Sequence, residues 1–291
     1  LSQLVGDEER AWFPNRSITD AEFHLFRELF HETIGMHLSL QKKPLVAVRL
    51  GRRLEELNLP SFGRYFHILR DPSRGDEMQR AVDLITTNET SFFRENTHFQ
   101  ILSEKILPAM ESERKVKVWC AASSSGEEPY TLAMVLSDCR GLDGWTLLAT
   151  DINTEVLATA TKGLYPMARA KGIPEHFLKA YCLKGTGPYH GEFLIDSSLR
   201  SRVEFRQMNL MAMDPEAIDF DIVFIRNVLI YFDQATRIRV LSGILSRLRP
   251  DGWLILGHSE SIVGLGLPPM EQVAPSVYRK TSTKDSFWRG R

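Results

Sequence analysis

Cysteine is scarce in this 291-residue chain: Cys120, Cys139 and Cys182 lie far apart and form no C-x-x-C pair. That spacing excludes a disulfide framework and a thiolate zinc centre, and it fits a reducing cytoplasm. No apolar run approaches the roughly 18 residues of a membrane span, so direct membrane insertion is not expected. No signal-peptide pattern opens the chain, and Leu1 in place of Met is read as a trimmed N-terminus. An excess of one charge is missing too. Lysine and arginine number 36 against 37 acids, for a formal net charge of −1, which argues against a nucleic-acid partner. Neither G-x-G-x-x-G nor G-x-x-x-x-G-K-[ST] occurs, which removes the dinucleotide fingerprint and the phosphate loop. There is no internal repeat and no low-complexity tract.

What remains is ordinary for a globular protein: 43% hydrophobic and 25% charged residues, in a length that suits two domains or one with an appendage. The first hundred residues read as helices. Thr19 and Glu22 have capping-box spacing, and Phe23, Phe26, Phe30 and Ile34 follow at helical period. Ser39 is a candidate cap for a second helix that tolerates Pro44 only in its first turns and carries Leu50, Leu54 and Leu57. Further helices are expected over 61–70, 76–85 and 98–110. After about residue 115 the grammar alternates between strand and helix. Strands are expected at 116–122, 145–151, 203–208, 220–225 and 253–256, with helices at 127–139, 155–162 and 234–249. Such alternation implies a mostly parallel, doubly wound sheet. Segments near Val273 and Val277–Tyr278 could close it with an antiparallel hairpin. Residues 163–202, with Gly185, Gly187, Pro188 and Gly191, break the rhythm and read as an inserted hairpin subdomain. Residues 281–291 read as a disordered tail.

In such sheets ligands sit beyond the carboxyl ends of the strands, where strand order reverses. The first strand ends in Ala121-Ala122-Ser123-Ser124-Ser125-Gly126-Glu127-Glu128-Pro129-Tyr130. Its small residues permit close backbone approach to a ligand. Its two acids suit a cationic ligand better than a phosphate, although the same acids would also suit a plain capping turn. Asp151 ends the second strand, where a carboxylate can accept two ribose hydroxyls or cap the next helix. The fourth runs into Arg226-Asn227-Val228-Leu229-Ile230-Tyr231-Phe232, whose charge and amide call for partners. Thr86-Thr87-Asn88-Glu89-Thr90-Ser91-Phe92-Phe93-Arg94-Glu95 joins the two halves. Its aromatics suit a core, and its arginine is left for a site.

These four segments, TTNETSFFRE, SSSGEEPY, ATDIN and RNVLIYF, together resemble the chemotaxis receptor methyltransferases of the CheR family, in order, over about residues 20–280. The resemblance implies a helical N-terminal domain for receptor docking (17–90) and a class I, Rossmann-like methyltransferase domain (91–280) that carries the small inserted β-subdomain (163–202). It implies S-adenosylmethionine as cofactor, with S-adenosylhomocysteine as product. The contacts it implies are Asn88, Thr90, Arg94, Glu128, Asp151, Asn209, Leu210, Arg226 and Asn227, with Arg94 and Tyr231 near the transferred methyl. The implied reaction esterifies glutamate side chains on the cytoplasmic domain of methyl-accepting chemoreceptors, with recruitment of a cytoplasmic enzyme to membrane receptor arrays. No metal is implied.

A glutamate side chain, which ordinarily titrates at about 4.3, is already ionised near neutrality and needs no general base. His258, in Gly257-His258-Ser259-Glu260, is read as structural. Arg49, Arg52 and Arg53 share a helical face by i, i+3, i+4 spacing, joined by Lys42, Lys43 and Arg64. That face is either simply solvated or, as the resemblance implies, set against an acidic receptor bundle. Gly185 and Gly187 lie either in an ordinary hairpin turn or in a hairpin similar to the subdomain with which some family members grip a receptor C-terminal pentapeptide by strand addition. Rival readings are a nucleic-acid methyltransferase, a small-molecule methyltransferase and a noncatalytic scaffold. The first would place an Asn/Asp-Pro-Pro-aromatic run where Arg226-Asn227-Val228-Leu229 stands. The last would predict loss of Arg94 or Tyr231, and both are present.

Overall fold

A computed structural model describes residues 17–213 and 219–281. The expected tail falls, beyond Thr281, outside the described residues. The chain forms two compact units that divide between Ile85 and Thr86, except that Thr33–Met36 belong with the second.

The first unit is helical: α1 (Asp20–Ile34), α2 (Lys43–Glu56), α3 (Phe62–Leu69) and α4 (Gly75–Ile85). The capping box forms, with Thr19 N–H donating to Glu22 at 2.9 Å and Glu22 N–H to Thr19 Oγ1 at 3.2 Å. Ser39 instead precedes a short 3₁₀ turn and makes no side-chain cap, and Pro44 sits in the first turn of α2, where no N–H is missed. The apolar stripes meet as expected. Phe26 is fully buried and packs against Phe30, Phe62, Tyr65 and Phe66.

In the second unit, α5 (Thr97–Ile101) is followed by one π turn and one 3₁₀ turn to Ala109. The regular helix expected to Met110 is thus interrupted. Pro108 lacks an N–H, and its ring would collide with the carbonyl four residues earlier. Then come β1 (Val116–Ala121), α6 (Glu127–Arg140), β2 (Trp145–Asp151), α7 (Thr154–Lys162), β3 (Leu164–Pro166), α8 (Glu175–Tyr181), β4 (Cys182–Lys184), β5 (Glu192–Ile195), α9 (Ser197–Arg200), β6 (Val203–Gln207), β7 (Phe220–Ile225), α10 (Gln234–Arg247), β8 (Leu248–Leu256), β9 (Met270–Ala274) and β10 (Val277–Lys280). The main sheet runs β6-β2-β1-β7-β8-β10-β9. Its pairs are parallel from β6 to β8 and antiparallel at β8/β10 and β10/β9. This is the doubly wound sheet with an antiparallel closure.

The chain builds outward from β1 through β2 to β6, then returns to lay β7 on the other side of β1. The switch point therefore lies between β1 and β7. Alternate residues of β1 feed the two faces: Val118 and Cys120 join one core cluster, Trp119 and Ala121 the other. The insertion is more than a hairpin. It is a three-stranded antiparallel sheet, β3-β5-β4, with α8 between β3 and β4 in sequence.

Candidate active site

At the carboxyl ends of β1, β2 and β7 lies a cleft with about 960 Å³ of empty space, part of it open to solvent. Asn88, Thr90, Arg94, Glu128, Asp151, Asn209, Leu210, Arg226, Asn227 and Tyr231 all line it, so the residues nominated from sequence for cofactor and acceptor meet in one place. Met36, Ser124, Met208, Val228 and Phe232, not nominated, are among the other residues of the wall.

The loop after β1 is shaped by backbone. Ala122, Ser124 and Gly126 hold positive φ values of 98°, 49° and 98°. Asp151 fixes the loop: Oδ2 accepts Ser124 N–H at 2.8 Å and Oδ1 accepts Asn153 N–H at 2.9 Å. The cap of α7 is Asn153, whose side chain accepts from Glu155 and Val156 N–H. Asp151 is thus a strand-end carboxylate, and the helix-cap alternative is removed.

The two acids of the loop part company. Glu127 is fully buried, accepts the Ser125 hydroxyl at 2.6 Å and pairs with Arg169 of the inserted subdomain. Glu128 faces the cleft and accepts from the Cys120 thiol at 3.2 Å and from Arg226 Nη1 at 2.7 Å. The partners that Arg226 called for are therefore internal. Its Nη2 also donates to Glu95 Oε2 at 2.9 Å and to Arg94 O at 2.6 Å, and its guanidinium lies 5.4 Å from the Phe99 ring. The Arg226 side chain has no exposed surface, so it acts on the cleft through Glu128, the partner that lines it.

Phe92 and Phe93 are core, as expected, while Arg94 lines the cleft and donates to Glu89 O at 2.9 Å. Phe93 and Glu95 both adopt left-handed backbone, φ 53° and 55°, which turns successive side chains to different environments. Ser124 Oγ donates to Asn88 O at 2.9 Å and ties this segment to the β1 loop. Asn209 spends its side chain on structure: Nδ2 donates to Thr33 O at 2.7 Å and Oδ1 accepts Met211 N–H at 2.9 Å.

Glu95 and Glu260 were missed from sequence. Glu95 binds Arg226, Asn227 Nδ2 at 3.3 Å and His258 N–H at 3.1 Å. Burial would raise its pKa, but the Arg226 hydrogen bond and charge, with the Asn227 and His258 donors, bring it down to about 2. Glu260 receives N–H groups from the turn that follows β7. A carboxylate after an arginine and another after a glycine-rich strand end were visible in the sequence. The pairings, across 131 and 33 positions, were not.

His258 is exposed and contributes its backbone N–H, and its ring lies 4.8 Å from that of buried His98. Glu95, His98 and His258 bring potential ligand atoms within 4.8 Å of one another. The Glu95 carboxylate is already held by Arg226, and burial together with the Arg226 charge lowers His98 to about 4. Such an electropositive setting disfavours a cation.

On α2, Arg53 pairs with Glu77 at 2.7 Å and Glu56 at 2.8 Å, and Arg49 donates to Ile85 O at 2.6 Å. Arg52 is exposed. The shared basic face is thus partly neutralised within the helical unit. In the inserted subdomain, Gly185 N–H pairs with Glu192 O, and a Cβ there would sit 2.1 Å from Tyr189 O. Gly187 has φ +56° in open space.

Two family models match the chain: the CheR methyltransferase all-alpha domain over residues 21–86 and the CheR methyltransferase SAM-binding domain over 88–276. Chemotaxis protein methyltransferase 2 of Pseudomonas aeruginosa is 41% identical over 249 residues, covering 84% of this chain and 88% of that protein. The chemotaxis protein methyltransferases of Salmonella typhimurium and Escherichia coli are both 38% identical. The first covers 86% of this chain and 86% of its own length, the second 84% and 86%.

Proposed function

Because the chain belongs to the CheR methyltransferase family, we propose that it methylates glutamate side-chain carboxylates on the cytoplasmic domain of methyl-accepting chemoreceptors, yielding methyl esters. It is an S-adenosylmethionine-dependent methyltransferase of chemotaxis. The observation that carries the glutamate reading is the meeting of Arg94 and Tyr231 with the carboxylate-lined cofactor cleft at the switch point.

The cleft fits the cofactor. Asp151 at the end of β2 suits ribose hydroxyls, Met36, Met208 and Leu210 offer apolar surface for a base, and Glu128 places negative charge beside a cationic centre. Asn88, Thr90, Asn209 and Asn227 complete the set that would hold it. When bound, S-adenosylmethionine supplies a sulfonium-activated methyl group and leaves as a neutral thioether.

The acceptor carboxylate is ionised at neutral pH, so no side chain has to remove a proton. Arg94 and Tyr231 would hold one carboxylate oxygen of the acceptor and aim it in line with the activated methyl group. Opposite charges cancel as the reaction proceeds, so exclusion of water favours it. Too tight a pairing with Arg94 would blunt the nucleophile. Its bond to Glu89 O limits that pairing by holding the guanidinium back.

The exposed Arg52 side of α2 supplies positive charge for an acidic receptor helix. β4 is an edge of the small sheet, with Leu183 half exposed, which supports strand addition by a receptor C-terminal pentapeptide. Among the described residues no helix is long and apolar enough to cross a membrane, and the reading places the enzyme in the cytoplasm, recruited to receptor arrays. The test is peptide mapping of a receptor fragment after incubation with labelled cofactor. Label confined to glutamates supports the proposal, and label on lysine or arginine rejects it.

A further inference from the structure

The turn that follows β7 is an anion-binding nest already filled from within. The Glu260 carboxylate is buried, at 6% exposure. Its Oε2 accepts Asn227 N–H and Gly257 N–H, and its Oε1 accepts Leu229 N–H, all at 2.8 Å. Backbone N–H groups converging in this way make a concavity for a negative charge. Asn227 is held at φ 58°, a conformation that non-glycine residues keep only where their surroundings impose it. Gly257 permits the approach: a Cβ there would lie 2.7 Å from Asn227 Nδ2 and 2.9 Å from Glu260 Oε2. From the far side, Arg237 Nε donates to Leu229 O at 2.9 Å and Phe232 O at 3.0 Å. The short 3₁₀ turn Leu229–Tyr231 is therefore gripped at both ends, and Tyr231 is the residue it delivers to the cleft. No hydrogen bond joins Glu260 to the loop after β1 or to Asp151 among those described.

We propose that Glu260 is a positioning residue for methyl transfer, acting through the Asn227–Tyr231 turn to set Tyr231 against the acceptor carboxylate. The inference rests on the acceptor role given to Tyr231 above. It predicts that loss of the carboxylate harms turnover far more than cofactor affinity, because Asn227 is the one member of the proposed cofactor set within this turn and the other polar members stand on the 86–95 segment and at or beyond the ends of β1, β2 and β6. Glutamine at 260 has the same shape and keeps one acceptor oxygen, but it turns an NH2 toward N–H donors on the other side and removes the negative charge, so part of the nest is left without an acceptor. Alanine leaves a cavity that a small anion can enter.

The experiment measures receptor methylation and S-adenosylhomocysteine affinity for the unaltered chain, Glu260→Gln and Glu260→Ala, with and without formate. Expected are a fall in kcat of about 100-fold in both variants, product affinity within about 3-fold, and at least roughly 10-fold recovery by formate in Glu260→Ala but not in Glu260→Gln. Turnover of Glu260→Gln within about 3-fold of the unaltered chain overturns the proposal. So does product affinity that falls in step with turnover, or a folded Glu260→Ala that formate does not restore. If the alanine variant does not fold, the isosteric glutamine variant decides. Absence of transfer by the unaltered chain sinks the functional reading and this inference with it, whereas normal transfer by the unaltered chain and Glu260→Gln alike sinks the inference alone.

Discussion

The two strand ends that flank the switch point hold their loops by different means. After β1 the loop consists of small residues and is fixed mainly through its backbone, by Asp151 on Ser124 N–H and Tyr165 OH on Ser125 O at 2.7 Å, with one buried acid, Glu127, paired to Arg169 where α6 begins. After β7 the turn is fixed by buried charge, with Arg226 between Glu95 and Glu128 and Glu260 on three N–H groups. The difference fits the roles proposed for the two sides. A cofactor loop has to let backbone come close to a ligand, which excludes bulk. An acceptor-side turn has to hold side chains still against a mobile carboxylate, and a satisfied buried charge network does that at the risk of large damage when one member is removed.

The contrast breaks most readily at Arg226. Arg226→Leu leaves Glu95 and Glu128 without their countercharge, and a loss of about 3–5 kcal/mol in unfolding free energy is expected by denaturant titration. Arg94→Ala, on the same side, should lower turnover by about 10³-fold, roughly 4 kcal/mol in barrier, with the unfolding midpoint unchanged. Near-normal turnover would remove Arg94 from the acceptor site.

Acidification probes the network without mutation. His98 is held neutral down to about 4 by burial and by Arg226, whereas an unfolded histidine protonates near 6.5. Between those values the unfolded state binds more protons, so stability falls as pH drops from about 6.5 to about 4. Glu95 adds a second loss below its unfolded pKa, continuing toward about 2. His98→Phe should flatten the upper slope and leave the lower one, as read by unfolding midpoints across pH.

On the β1 side the expected damage is smaller. Gly126→Ala puts a Cβ 2.7 Å from Tyr165 Oη and 2.8 Å from Ala160 Cβ at φ +98°. About 1–2 kcal/mol of stability should be lost, together with some product affinity by calorimetry. The smallest effect belongs to a residue outside both regions. Arg52→Glu should raise the KM for receptor by a few fold, on the order of 1 kcal/mol, and leave product affinity unchanged.

What could be read from sequence follows the same division. β7 matches its expected bounds because a buried parallel strand is a continuous apolar run ended by charge. The cleft residues were legible through the resemblance of four short motifs to the CheR family; Asp151 and Arg226 also stand at strand ends, whereas Asn88, Thr90 and Arg94 do not. The helix expected over 98–110 is interrupted ahead of Pro108, which offers no N–H and crowds the preceding turn. The small sheet of the insertion was compressed into a hairpin, since α8 between its strands carries a short and weak pattern. Glu95 and Glu260 stayed hidden because their partners are fixed by topology, and no local spacing encodes which acid meets Arg226 or which backbone N–H groups converge. The α2 arginines show the converse: one helical face was read correctly, but Glu77 on α4 claims Arg53.

Ester formation on a glutamate carboxylate is the chemistry on which all of this depends, and alkaline treatment of a receptor fragment labelled from methyl-tritiated S-adenosylmethionine reads it out. Release of the label as volatile methanol is the predicted result. Label that remains on the protein through alkali would mean methylation at nitrogen and would contradict ester formation.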